Sequence, residues 1–350
     1  MDAAEYGRMV DMYTASGAVA SAIALAKDLG VLEILYKSEV PLTSQDIADK
    51  GQLKERYVRE LVSALVTGGV VQVDSTSTLF HINAEFKPVL REKSIFTRMV
   101  PYFGEKYGSI LKCCTKDGPA GVRYSEHPVL FDMMDEMRAE TQNQLLDRDV
   151  LPVVPKLQER LNSGIDVAEI GCANGTLILN LCARYPASHF TGSDVVESVL
   201  DIARSRASDR GISNSEFITL NVCHIPDSPK KHYDWIFLRD VVHDLPDPEG
   251  CLSGIYRMLR PGGYFSMLDF GLQGSLHDNV GKVGISYMYA SSTFICLPES
   301  YQEQQSAALG PCFGVGKARE LLLKAGFVLV HEHHSGWNEG EVHFVCQRPE

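Results

Sequence analysis

Positive charge is scarce: 33 Lys and Arg face 45 Asp and Glu in 350 residues, a net charge of −12. A polyanion repels such a surface, so nucleic acid is not an expected partner. Long apolar runs are missing too. None approaches the roughly 20 residues that a spanning helix needs, and no membrane partner is expected. The opening MDAAEYGRMVDMY carries acids where a signal peptide has a basic and then an apolar region, so the expected location is cytoplasmic. The nine cysteines form no CxxC pair and are odd in number, which announces neither a disulfide framework nor a metal site. Free thiols in a reducing cytosol fit that pattern. With 45% hydrophobic and 22% charged residues, the chain has a globular composition and length enough for two cores.

Three regions are expected: 1–92, 93–151 and 152–350. In the first, an apolar-periodic helix over 18–29 is stopped by Gly30. Thr43 or Ser44 can cap a short helix, because their oxygens satisfy otherwise unpaired amides. A second helix over 55–67 places Tyr57, Val58, Leu61, Val62, Leu65 and Val66 on one face, and Gly68-Gly69 breaks it. Residues 70–73 and 78–82, joined by Asp74-Ser75-Thr76-Ser77, read as a β-hairpin. Helix, turn, helix and hairpin in that order make a winged helix.

The second region reads as a helical linker and cap, with a Gly118-Pro119-Ala120-Gly121 break before a Met-rich helix over 128–146. Met133, Met134 and Met137 pack a core or line an adaptable pocket. Cys113-Cys114 packs within a helix rather than bridging to itself.

From 152 onward strands and helices alternate. Strands are predicted at 166–170, 188–193, 216–220, 234–238 and 263–268, with helices at 177–185, 199–209 and 250–259. Such alternation implies an α/β fold with a parallel sheet covered on both faces. Strands at 327–331 and 342–346, joined by a Gly- and Asn-containing turn, add an antiparallel hairpin at the end of the sheet.

One segment carries the strongest chemical signal: Glu169-Ile170-Gly171-Cys172-Ala173-Asn174-Gly175-Thr176. A strand runs into a turn with glycines four apart, where the missing Cβ lets the backbone approach a ligand closely. The dinucleotide fingerprint would need glycine also at 173 and 176, which hold Ala and Thr. The phosphate-binding loop fails for want of its Gly-Lys-Ser/Thr.

The segment resembles motif I of the class I S-adenosylmethionine methyltransferases. Further matches follow in order: Asp194-Val195 after the next strand, Asn221-Val222 after the third, 233–238 as the fourth strand, and the turn Arg260-Pro261-Gly262-Gly263. The resemblance implies a Rossmann-like seven-stranded sheet with S-adenosyl-L-methionine held by Glu169, Gly171, Ala173, Gly175, Asp194, Val195, Asn221, Val222 and Arg239. A carboxylate at 194 accepts hydrogen bonds from both ribose hydroxyls; it also suits a helix N-cap, and both can hold. Arg239 stands where plant enzymes have a Lys near the cofactor, and it can instead pair with Asp240.

Winged helix, helical linker and class I domain together resemble the small-molecule O-methyltransferases, including plant phenolic and acetylserotonin enzymes. A less characterised bacterial and invertebrate branch is closer, through 118–124, 166–171, His243-Asp244-Leu245-Pro246-Asp247-Pro248 and 318–322. The resemblance implies transfer of a methyl group to a hydroxyl or thiol of a small molecule, a homodimer, and His243 as general base oriented by Asp269. Imidazole can take an acceptor's proton near neutrality. A second supporting Glu of the plant enzymes falls near Cys312 and is absent, so a helix-start role for His243, tied to Asp244, stays open.

Two other functions remain. One is a catalytically silent cofactor-binding protein. The other is a DNA-reading regulator, against which helix 55–67 offers two basic residues offset by two acids, and the wing none. His331-Glu332-His333-His334 resembles a metal cluster, yet successive strand residues face opposite ways, and no metal is expected. Residues 287–301, rich in Tyr, Ser and Phe, either face substrate or pack.

Overall fold

The computed structural model describes residues 1–123, 128–139, 141–229, 232–273, 275–334 and 340–350. Tyr124 and the expected Gly- and Asn-containing turn at 335–339 lie outside them. The described chain forms two compact units, Met1–Tyr107 and Gly108–Glu350, a division that falls inside the span expected to link the domains.

In the first unit, helix α1 (Ala3–Asp28) is far longer than the sequence periodicity indicated. Asp2 and Glu5 close its start in a capping box, each side chain accepting the other's amide at 2.8 Å. Its first half is almost wholly exposed, with Tyr6, Met9, Val10 and Tyr13 at helical spacing that the sequence reading missed. Over an 18-residue window its mean hydropathy is 1.3, so by length and composition alone it meets the test for a membrane-crossing helix.

Gly30, at φ 72°, turns the chain into α2 (Val31–Lys37). Thr43 caps α3 (Ser44–Gly51) and Asp46 returns the bond, leaving Ile47 and Ala48 buried. Helix α4 (Glu55–Thr67) buries Val58, Leu61, Val62 and Leu65. Tyr57 departs from expectation: it is 73% exposed, because position 57 lies about 100° round the helix from 58 and off the buried stripe. The hairpin pairs only β1 (Gln72–Val73) with β2 (Phe80–His81). Its turn is held instead by Asp74, whose carboxylate accepts the amides of Thr78 and Leu79 at 3.0 Å. Helix α5 (Lys87–Ser94) follows, and α6 (Met99–Cys113) runs across the division at Tyr107. Cys114, expected within a helix, lies just past its end and is exposed.

In the second unit, the span of the Met-rich helix holds α7 (Pro128–Ala139) and α8 (Gln142–Leu145), which leads into a turn of π-helix. Met133 is buried and Met134 and Met137 are half-buried. After α9 (Leu157–Ser163) come β3 (Asp166–Ile170), α10 (Thr176–Arg184), β4 (His189–Asp194), α11 (Glu197–Asp209), β5 (Ser215–Thr219) and β6 (Tyr233–Arg239). Then follow α12 (Pro248–Met258), β7 (Leu259–Phe270), α13 (Val283–Ser291), α14 (Leu297–Ser300), α15 (Gly314–Lys324), β8 (Val328–His334) and β9 (Glu341–Gln347).

The described strands of the second unit form a seven-stranded sheet in the order β5-β4-β3-β6-β7-β9-β8. Neighbours from β5 to β7 are parallel, and β9 lies antiparallel between β7 and β8. The Arg260–Gly263 turn is not separate from the fifth strand. It sits within β7 as an irregularity: the register against β6 shifts between Tyr233 and Trp235, and Gly262 takes φ 71°.

Both faces of the sheet are buried, as a mostly parallel sheet requires. On β6, Trp235 and Phe237 point into one core, with α9, α10 and α11, while Ile236 and Leu238 point into the other, with α12 and α15. Trp235 is fully buried, stacks on Phe237 at 4.6 Å and donates Nε1–H to Ser266 Oγ at 2.9 Å. Trp235→Phe is expected to cost about 2 kcal/mol in urea unfolding, since it strands a buried hydroxyl and leaves a small void. Adding Ser266→Ala is expected to recover part of that loss, because both hydrogen-bonding partners are then gone.

Candidate functional site

Strand order reverses between β3 and β6, and in sheets of this type ligands settle outside the carboxyl ends of the strands at that switch point. The expected residues converge there. Gly171 leaves β3 at φ 71°, and its amide and that of Cys172 both donate to Ser193 O, at 2.7 and 2.9 Å. The loop thereby folds back over the end of β4. A Cβ at Gly171 would meet Val241 Cγ2 at 2.5 Å, and one at Gly175 would meet Ala203 Cβ at 2.8 Å. Ala173 also sits in the left-handed region, at φ 46°, a conformation that costs a residue with a Cβ about 1 kcal/mol.

Asp194 ends β4 and accepts the amide of Ala173 with Oδ2 and that of Val196 with Oδ1, each at 3.0 Å. Val196 is the N-cap of α11, so this acid ties the glycine loop to the start of a helix. Burial pushes its carboxyl above the ordinary value, against the pull of those amides. Each oxygen keeps a further lone pair for a hydroxyl donor. Val195 beside it is 61% exposed. Asn221 accepts the amide of Cys223 at 3.1 Å and so caps the short turn that buries Val222.

Glu169, next to last on β3, is buried, and its Oε2 has no partner among the described residues. Burial pushes its carboxyl up to about 8. Arg239 ends β6 and donates Nε–H to Glu341 Oε1 at 2.8 Å, with Asp240 Oδ2 at 3.7 Å. Arg138 of α7 donates to the same Asp240 oxygen at 2.7 Å. Arg239 Nη1 is buried without a described partner. The sequence reading missed Arg138 and Glu341. Glu341 reaches the site because it opens β9 opposite Phe270, the last residue of β7. Asp135 of α7 holds Thr176 and Arg206, which fastens this helix to the start of α10.

His243 is 2% exposed, in a short turn after β6, and Asp269 is fully buried near the end of β7. His243 Nδ1 lies 2.6 Å from Asp269 Oδ1, an oxygen that also accepts the Phe270 amide at 2.8 Å. Nε2 faces Asp244 Oδ1 at 3.2 Å, and the thiol of Cys296 bonds the same imidazole. Burial lowers the imidazole pKa, but Asp244 and Asp269 together outweigh it and leave it well above 6.5. Cys312 lies near enough to feel the charge of His243. Cys296 was missed as well. Its stretch is helical from 287 to 300. His331, Glu332 and His333 do not converge: His333 bonds Asp149 Oδ1 at 2.9 Å, whereas Glu332 takes Arg319.

Residues 161–320 match the model of a family described as a methyltransferase domain, and residues 17–91 that of an Rv2258c-like winged HTH domain. Demethylmenaquinone methyltransferase of Listeria welshimeri is 26% identical over 198 residues, which are 55% of this chain and 82% of the relative. Among solved structures, a putative O-methyltransferase of Nostoc punctiforme superposes with a TM-score of 0.71 at 19% identity, covering 99% of each chain. Human N-acetylserotonin methyltransferase, solved in complex with S-adenosylmethionine, gives 0.70 at 18% identity, over 100% of this chain and 99% of its own. These two likenesses carry the fold.

The crevice suits a sulfonium nucleoside with an amino-acid tail. Two left-handed glycines let the loop pack tightly on Val241 and Ala203, where a Cβ would clash, and Asp194 offers lone pairs to a diol. Glu169 Oε2 and Arg239 Nη1, buried and unpaired among the described residues, offer an acceptor and a donor of opposite charge to an ammonium and a carboxylate. The protein thus has the layout of the class I S-adenosylmethionine-dependent methyltransferases, with the methyltransferase domain behind a winged helix.

Proposed function

We propose that the protein transfers the methyl group of S-adenosylmethionine to a hydroxyl or thiol of a small molecule, with His243 as the base that takes the acceptor's proton. One observation carries the reading: a buried imidazole is held by a buried carboxylate, 2.6 Å away, at the end of the strands that form the crevice. The bound cofactor supplies an electrophilic methyl carbon. The rest falls to the chain. Gly171 and Gly175 let the loop fold closely over the strand ends, Asp194 holds the ribose diol, and Val195, Asn221 and Val222 flank the adenine. Glu169 and Arg239 orient the tail. Asp269 keeps the His243 proton on Nδ1, so that Nε2 can accept one as the acceptor oxygen or sulfur attacks.

A catalytically silent cofactor-binding protein is the second reading. It is favoured by Nε2 facing Asp244, since that carboxylate and Asp269 outweigh burial and favour the charged form of the ring over the neutral base. DNA reading is disfavoured, because Arg56 and Arg59 of α4 are both paired with acids of the same helix. The nine thiols are free, in keeping with a cytoplasmic location. Exposed Tyr6, Val10, Met12 and Tyr13 on α1 support a homodimer, which light scattering checks against a mass of one chain.

Calorimetry with S-adenosylmethionine tests the cofactor assignment. The wild-type chain is expected to bind, and Asp194→Ala to bind roughly 10–100-fold more weakly, because charge-assisted bonds to hydroxyls are lost. Equal affinity would remove Asp194 from the ribose. Release of S-adenosylhomocysteine with phenols, indoles, carboxylates and thiols then separates an enzyme from a silent binder.

A further inference from the structure

Cys296 closes a turn of π-helix, Ser292–Cys296, between α13 and α14. Turns of this kind are rare and gather at functional sites. This one brings the thiol against both the imidazole of His243 and the carboxylate of Asp244. One ligand atom from each of the three side chains lies within 4.8 Å of the others, with Nε2 and Oδ1 3.2 Å apart. Ligands on a single tetrahedral zinc ion sit about 3.3–3.6 Å from one another, so a contraction of at most about 1.5 Å would close the set. The far side of the ring is already prepared: Nδ1 is backed by Asp269 Oδ1 at 2.6 Å, and metal-binding imidazoles almost always have such a partner. Among the described residues this is the one trio of His, Cys, Asp or Glu so arranged.

We propose that His243, Asp244 and Cys296 form an inhibitory site for a thiophilic divalent cation such as Zn²⁺. The inhibitory part rests on His243 serving as base in the proposed reaction, because the ion takes the Nε2 lone pair that the acceptor's proton needs. Binding releases protons to solvent, one from the thiol and one from the imidazole where it is charged. Three protein ligands leave one tetrahedral position for water. A thiolate in the set selects Zn²⁺ over Mg²⁺ or Ca²⁺, which prefer oxygen.

The full chain, stripped with a chelator and desalted, is titrated with Co²⁺ and then Zn²⁺. One Co²⁺ per chain is expected, with a thiolate-to-metal absorption band that Zn²⁺ abolishes. Cys296→Ala is expected to lose the band and Cys114→Ser to keep it. Asp269→Asn is expected to weaken metal binding 10–100-fold by withdrawing the partner of the ring. Added Zn²⁺ is expected to lower methyl transfer by the wild type more than by Cys296→Ala. Absence of the band, its survival in Cys296→Ala, or metal binding without a fall in turnover would each overturn the proposal. The cobalt titration reads the site whether or not methyl transfer occurs. Failure to bind S-adenosylmethionine would instead remove the reaction while the band still decided the metal site.

Discussion

His243→Ala is expected to lower turnover with hydroxyl acceptors by about 10² or more while leaving S-adenosylmethionine affinity nearly unchanged. The ring faces Asp244, Asp269 and Cys296 rather than the Asp194 end of the crevice, so its loss touches proton transfer and not the ribose contact. Alanine also removes the hydrogen-bond donor that faces two carboxylates, which destabilises the fold. His243→Gln is the companion variant, since its uncharged amide keeps a donor toward them but cannot take a proton. Both variants should lose rate, and only the alanine should melt markedly lower. An unchanged rate in both would take His243 out of the reaction. The wild-type pH profile has a set direction. Burial pulls the imidazole down and the two carboxylates pull it up by more, so the neutral base appears only above the ordinary 6.5. The kcat/KM is therefore expected to climb with pH along a limb on the alkaline side of 6.5. Stability runs the other way. The bound imidazolium stabilises fully below about 6.5, and its contribution fades as pH rises through the raised native value. A thiol acceptor, already a few per cent ionised at neutrality, is expected to depend less on His243.

What sequence could reveal here followed from how local each feature is. Glycines at 171 and 175 and an acid at 194 were legible because each is set by its own turn or strand end. Asp269 was found only through the family pattern, yet the structure does bring it to the imidazole. Cys296 escaped because it meets His243 across 53 residues through a π-turn that leaves no periodic signature. Glu341 escaped because its place depends on β9 inserting between β7 and β8. In the structure residues 341–346 are all buried and no residue of β8 is, as suits an interior strand beside an edge strand. Most strand limits shifted by a residue or two, the start of β7 by four and the end of β8 by three, for a duller reason: the hydrogen bonds that define them come from neighbours, not from the strand itself. Tyr57 was misassigned because a six-residue apolar set was read as one face, although a helix turns adjacent positions about 100° apart.

Glu169→Gln is expected to stabilise the cofactor-free protein in alkaline solution and to gain nothing in acid. Burial pushes this carboxyl from its ordinary 4.5 up to about 8, against the lowering pull of the Ile178 amide, Arg138 and Arg239. Between those two values the folded chain holds a proton that the unfolded chain has given up. Stability must then fall as pH rises through that window, by up to 1.36 kcal/mol for each pH unit. By pH 8 to 9 the accumulated loss is on the order of 4 kcal/mol, less whatever relaxation or water relieves. A glutamine is nearly isosteric with the protonated acid and cannot ionise, so its advantage should be absent near pH 4.5 and largest above pH 8. Urea midpoints of both chains across that range measure it. Binding of S-adenosylmethionine should reverse the ranking: an ammonium beside Glu169 favours the carboxylate, and the variant would then bind the cofactor more weakly while standing up better without it. Such opposition is what a charge kept for a ligand produces, since burial without a partner costs the empty protein stability that the ligand returns on binding. If the two chains keep one constant difference from pH 4.5 to 9, Glu169 is ionised or protonated alike in both states, and it has no such role.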